Sequence, residues 1–150
     1  MALKLSTDLK RYIISQGVIK QMAGTAGTGG TCTLLLYTGT QPTDADTAPT
    51  GTSGTVLGTI SGIGWGGTMG ATSGTVALGT SVGYVGTAGI TGTAGWARMR
   101  TYGTNFTGSA GTYVIDGDVG TAATCTFVIN SVSVTAGGQI SLLTAPISLA

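Results

Sequence analysis

The sequence predicts an all-β fold, an antiparallel sandwich or jelly-roll-like barrel with a short N-terminal helix and arm. Three observations lead there. From residue 31 onward, short β-branched and aromatic runs are separated by Gly, Asn and Asp, the pattern of many short strands joined by turns. No second helical segment separates those runs, which argues against βαβ units and a doubly wound sheet. A chain of 150 residues makes one domain with room for one core. The expected organisation is an N-terminal helix and Gly-rich arm over residues 1–30 and a β-sandwich domain over 31–150.

The helix is expected from Ser6, a good N-cap, to Gly17, a natural stop, with Asp8 near the positive end of the helix. Leu9, Tyr12, Ile13 and Gln16 fall on one face at spacings of three and four, which makes a packing or docking stripe. Gly24-Thr-Ala-Gly-Thr-Gly-Gly30 reads as a flexible connection. Strands are expected at 31–38, 55–61, 74–78, 82–85, 96–102, 112–116, 124–130, 132–135 and 139–143. Turn chemistry lies at Gln41-Pro42, Asp44-Ala-Asp46 and Asp116-Gly117. The near-repeats beginning at Thr52 and Thr72 occur only twice, short of the three or so repeats a solenoid needs, and read as two similar strands.

Composition closes off several functions. Thr and Gly together supply 57 of the 150 residues, and there is no His and no Glu. Without His there is no Ser-His-Asp triad, no Cys-His dyad and no ordinary zinc site. A net charge of +1 gives little attraction to nucleic acid or an anionic membrane. Disorder is disfavoured because Leu, Ile, Val and Phe make up 22% of the chain and net charge is small. The expected class is a non-enzymatic structural or binding protein with no cofactor and no metal.

Charge is also unevenly placed. Residues 1–20 hold Lys4, Lys10, Arg11 and Lys20 against Asp8, a local balance of +3, and no charged residue lies between Asp46 and Arg98. So long a neutral stretch fits burial against copies or partners better than a free surface. Asp8, Lys10 and Arg11 interrupt any signal-peptide core, and no window approaches a membrane span, so the chain is expected to be made in the cytoplasm. Cys32 and Cys125, each within Thr-Cys-Thr, read as reduced strand cysteines, although a disulfide between neighbouring strands stays open.

Several motifs carry less than they first suggest. Gly79-Thr-Ser-Val-Gly83 matches a nucleophile elbow but has no His base. Gly62-Ile-Gly-Trp-Gly-Gly67 lacks the following helix that a dinucleotide loop requires. Asp44-Ala-Asp46 and Asp116-Gly-Asp118 would hold calcium only if the two pairs met; turns are the simpler expectation. The Thr-x-Thr units lie at irregular intervals, unsuited to a flat ice-binding array.

Trp96-Ala-Arg98-Met-Arg100-Thr-Tyr102 is the most informative segment. Period-two alternation places Trp96, Arg98, Arg100 and Tyr102 on one face. Aromatic and Arg side chains together are typical of protein-interface hot spots. A plain solvated face is the competing expectation, and two Arg are few for nucleic acid. The candidate protein interface is therefore Leu9, Tyr12 and Ile13 with Trp96, Arg98, Arg100 and Tyr102.

Taken together, certain segments resemble a known group. They are Met1-Ala-Leu-Lys-Leu-Ser-Thr7, a strand ending Leu36-Tyr-Thr-Gly-Thr-Gln-Pro42, Asp44-Ala-Asp46, Ala48-Pro-Thr-Gly-Thr52, Gly95-Trp-Ala-Arg98, Asp116-Gly-Asp-Val-Gly-Thr121 and Thr135-Ala-Gly-Gly-Gln-Ile140. In this order the chain resembles small virion structural proteins of tailed bacteriophages, of head decoration (cement) or tail-associated type. The Gly/Thr-rich stretch from Gly62 to Gly95 is longer than that group leads one to expect. The resemblance implies a non-enzymatic part of the particle made in the host cytoplasm; within the virion the expectation is a head decoration or cement protein that binds the major capsid protein and copies of itself. A tail or tail-fibre-associated component, or a carbohydrate-binding adhesin module using Trp65 and Trp96, are the alternatives.

Overall fold

The structure, a computed structural model, describes residues 32–45, 47–51, 54–63, 75–76, 84–101, 114–145 and 147–148. Eleven strands follow in chain order: β1 (Cys32–Tyr37), β2 (Val56–Ile63), β3 (Thr75–Val76), β4 (Tyr84–Ala88), β5 (Gly92–Thr93), β6 (Trp96–Thr101), β7 (Val114–Gly120), β8 (Phe127–Ile129), β9 (Ser133–Val134), β10 (Gln139–Thr144) and β11 (Ile147–Ser148). Among the described residues there is no helix. The expected N-terminal helix and arm, with Leu9, Tyr12 and Ile13, lie outside the described residues, as does Tyr102.

The all-β expectation holds, and the sheet closes on itself. Strands β1, β2, β4, β10, β8, β7 and β6 form a closed barrel in that order, with β3–β11 and β5–β9 as separate two-stranded pairs. Closure is possible because β1 pairs with β2 on one side and β6 on the other, so that among the described residues the barrel itself has no edge strand. Its rims follow from the register. Cys32, Ile63, Thr101 and Val114 lie toward one rim; Tyr37, Val56, Trp96 and Asp118 lie toward the other.

One seam departs from the antiparallel expectation. Strand β8 runs parallel to β7, with Val119 beside Phe127 and Gly120 beside Val128. Parallel neighbours ordinarily need a crossover of a dozen or more residues. Here residues 121–126 suffice, because only two residue pairs overlap and the return is anchored locally. The Cys125 N–H donates to the Ala122 carbonyl at 3.1 Å, and the Thr126 N–H donates to Asp118 Oδ1 at 2.9 Å.

That anchoring also corrects the turn expected at Asp116-Gly117, since both residues lie within β7. A Cβ on Gly117 would stand 2.5 Å from the Thr126 Cγ2. Gly is there for close approach of the returning chain, not for a reversal.

Inside the barrel, Leu34, Leu36, Ile60, Met99, Phe127, Ile129 and Ile140 are fully buried. Strand β1 is buried on both faces. A second apolar group of Leu35, Tyr37 and Trp96, flanked by Val56, accounts for its outer side. The Leu34-Leu35-Leu36 run is thus the continuous apolar run of a strand covered twice. The barrel wall supplies one cover, and the connection from β1 to β2 contributes to the other. The neck of that connection is tied by Thr38 N–H to the Thr55 carbonyl at 3.1 Å and by Thr55 N–H to Thr38 Oγ1 at 2.9 Å. Elsewhere Asn130 extends the β8–β10 ladder: its N–H donates to the Ser141 carbonyl, while its side-chain oxygen accepts from the Ser141 N–H at 2.9 Å.

The β2–β4 seam gives a test of closure. A Cβ at Gly86 would collide with the Thr59 carbonyl, whereas one at Gly89 would meet nothing nearer than 3.9 Å. Gly86→Ala is expected to cost about 1–3 kcal/mol, the range for overpacking, and Gly89→Ala less than about 0.5 kcal/mol, as at an ordinary surface position. Urea unfolding of the two variants measures the difference.

Candidate functional site

Strand β6 presents its alternate residues to opposite sides. Ala97 and Met99 point into the barrel at 0% exposure, leaving Trp96, Arg98 and Arg100 on the outer wall. Directly opposite Trp96 on β1 is Tyr37. The two rings stack with centroids 4.5 Å apart and planes within 11°, a favourable aromatic pair. Two residues along the same face, the Arg98 guanidinium lies 5.6 Å from the Trp96 ring centre, within cation–π range.

Arg98 is 1% exposed, so its charge needs compensation. Register places Asp116 of β7 directly across from it. Arg98 Nε donates to Asp116 Oδ1 at 2.7 Å and Nη2 donates to Oδ2 at 2.6 Å, the two-pronged geometry that favours Arg over Lys. Nη2 also donates to the Thr47 carbonyl at 3.0 Å. That bond fastens the 38–55 connection to the wall. The local shape is set by a turn in which the Thr47 N–H donates to the Asp44 carbonyl at 3.1 Å. Among the described residues, Arg98 Nη1 has no hydrogen-bond partner.

Burial pushes the Tyr37 hydroxyl pKa above its ordinary value, partly offset by the positive charges of Arg98 and Arg100. Asp118 moves the other way. The Thr126 hydroxyl, donating to its Oδ1 at 2.6 Å, and then the Thr126 N–H hold its carboxyl below the usual aspartate range. A depressed carboxylate stabilises the fold above the unfolded-state value of about 3.9, and that contribution is lost as pH falls through the folded value. Asp118→Asn is therefore expected to flatten the acid limb of stability below about pH 4, with wild type and variant converging at the lowest pH. Urea midpoints across the acid range measure this.

The arrangement fastens chain segments to one another. Asp116 is committed to Arg98 and Asp118 to Thr126, and no group of three or more His, Cys, Asp or Glu that could hold a metal occurs among the described residues. Cys32 is buried in β1, Cys125 lies partly buried in the return after β7, and no disulfide joins them. The elbow-like 79–83 segment lies outside the described residues, and Gly62 and Ile63 belong to β2.

Of the expected interface residues, Trp96, Arg98 and Arg100 do share one face. Trp96 and Arg98 are each 1% exposed within the chain itself, so a partner reaches them only through what covers them; Arg100 is partly buried. Sequence reasoning missed Asp116 and Thr47. The charge of Asp116 opposite Arg98 on a neighbouring strand was the available signal; the Thr47 contact is made by its backbone carbonyl, which has no signature in sequence. No family model, no curated protein and no solved structure matches this chain.

Proposed function

We propose that this chain is a non-enzymatic structural component of a tailed-phage virion. Within the virion we place it on the head, as a decoration or cement protein that stabilises the shell. It binds the major capsid protein and copies of itself, and it reaches the virion after synthesis in the host cytoplasm. One observation carries the reading. Segments that bear the resemblance, scattered in sequence between Leu36 and Ile140, gather around one rim of the barrel and the wall beside it. Tyr37 stacks on Trp96 and Arg98 bonds both Asp116 and the 44–47 turn; Gly137 and Gly138 join them only indirectly, through Ala88 of β4, which lies outside those segments. Short pieces with little meaning singly thus make one rigid rim.

A pre-ordered rim suits this role physically. Ordering flexible chain is a main cost of association, and a rim already fastened avoids much of it. The stabilising step is burial of surface across joints between capsid subunits, where stable pairs bury about 1,600 Å² in total. An adhesin that stacks sugars on Trp96 would need that ring open, but its face is taken by Tyr37.

Co-sedimentation tests the proposal. Purified protein is added to particles of the encoding phage that lack it. Binding that saturates in proportion to the capsid subunits, with a higher temperature of genome release, is expected. Protein left entirely in the supernatant would overturn it.

A further inference from the structure

Arg98 carries a half-filled hydrogen-bonding edge. Its Nε and Nη2 hold the two oxygens of Asp116, and Nη2 also donates to the Thr47 carbonyl at 3.0 Å. A guanidinium is planar, with its donors in a fixed fork. The second N–H of Nη2 therefore lies beside one N–H of Nη1 on the far end of the group. Thr47 supplies a single oxygen to that two-donor edge. Nη1 has no hydrogen-bond partner among the described residues, although Arg98 is almost fully buried. An unfilled donor at such burial is costly, and a second oxygen beside the first would satisfy it.

The oxygen on that edge belongs to a lightly held segment. None of residues 38–45 and 47–51 is fully buried, and segments with few buried contacts open locally at low cost. Its ends, by contrast, are fixed. Thr38 N–H donates to the Thr55 carbonyl, and Thr55 N–H donates to Thr38 Oγ1. Gly54 has φ 92°, a conformation that glycine takes without strain, and a Cβ there would run into the Thr38 carbonyl. The connection is thus a surface loop with tied ends.

We propose that the end-on edge of Arg98 is a recognition site for a carboxylate, which takes the place of the Thr47 carbonyl. The two oxygens of a carboxylate match the paired donors of Nη1 and Nη2. Charge-assisted bonds of this kind are roughly twice as strong as the neutral kind. The loop lifts at Thr47 to admit the ligand, while its neck and the Tyr37–Trp96 stack stay in place, so the rim keeps its order. With the loop lifted the edge faces water, and a second carboxylate beside Asp116 keeps part of its own hydration. A phosphate dianion would bring two charges against Asp116 and suits the edge less well. The site does not rest on the virion reading.

NMR of the Arg98 guanidinium in the intact protein tests it, with sodium acetate as the probe and sodium chloride at equal ionic strength as the reference. Acetate is expected to move the Nη signals along a saturating curve and to leave the Nε signal, held by Asp116, in place. The Thr47 carbonyl carbon should move along the same curve as it loses its bond. Acetamide, with one acceptor oxygen and no charge, should need at least about tenfold more for the same shift. Gly54→Ala loosens the neck and should lower the half-saturating acetate concentration at least about threefold, because a larger open fraction raises apparent affinity. A blocked Gly-Asp-Gly peptide separates the sources of the carboxylate. Saturation at lower concentration than acetate assigns the edge to an acidic side chain of a polypeptide; saturation with acetate alone assigns it to a small free carboxylate. No saturating shift with either probe, an equal response to acetamide or chloride, or an Nη shift with the Thr47 carbonyl unmoved would overturn the proposal. A half-saturating concentration unchanged in Gly54→Ala would overturn the part given to the loop.

Discussion

Asp116→Ala lowers the unfolding free energy by about 3–5 kcal/mol, the cost of leaving one member of a buried ion pair without its partner. The reason is specific to Arg98. Its guanidinium is 1% exposed and the Asp116 carboxylate 3% exposed, so water cannot replace either partner. After the substitution, of the bonds described here only the one to the Thr47 carbonyl remains to it. For a domain of this size that corresponds to a fall in Tm of roughly 6–20 °C, at about 2–4 °C per kcal/mol. The double variant Arg98→Met, Asp116→Leu removes both charges and is expected to recover most of the loss, because buried pairs offset little more than their own desolvation. Calorimetry of Arg98→Met, Asp116→Leu and the double variant closes the cycle. A single-variant loss below about 1 kcal/mol, the value for an exposed pair, would show that the wall is wet.

Trp96→Ala is the second large effect, with an expected loss of about 3–5 kcal/mol. Three contacts go together: the stack on Tyr37, the face beneath Arg98, and the packing with Leu35 and Val56. Trp96→Phe keeps a ring over Tyr37 and should cost markedly less. Hydrogen exchange separates a local from a general effect. Amides of residues 38–55 should lose protection in Trp96→Ala well before those of the barrel strands. Uniform loss across β1, β6 and β10 would mean that the outer cluster and the barrel interior unfold as one unit.

Much of the fold was legible because strands announce themselves locally. The Thr31–Thr38 run and the alternation from Trp96 onward both fall on strands, and the face shared by Trp96, Arg98 and Arg100 is the one the period predicts. Closure was not legible. It depends on β1 finding β6 across more than fifty intervening residues, and no local pattern encodes that partner. The two-residue strands Gly92–Thr93 and Ile147–Ser148 are too short to show any period. Asp116-Gly117 misled for a different reason. Its turn propensity is real, but an ion pair with a buried Arg and the close approach of Thr126 outweigh a local preference. The cluster was half visible: its side chains could be placed on one face, while the cover contributed through the Thr47 carbonyl could not.

Whether the chain is part of a phage particle is decided by immunogold electron microscopy of particles purified from its source. Antibody is raised against the recombinant protein and its access to the native fold is verified first. Label spread over the icosahedral shell is the predicted result. Label confined to the tail or its tip would contradict the decoration assignment and move the protein to the tail. Absence of label from every particle would contradict the virion reading itself.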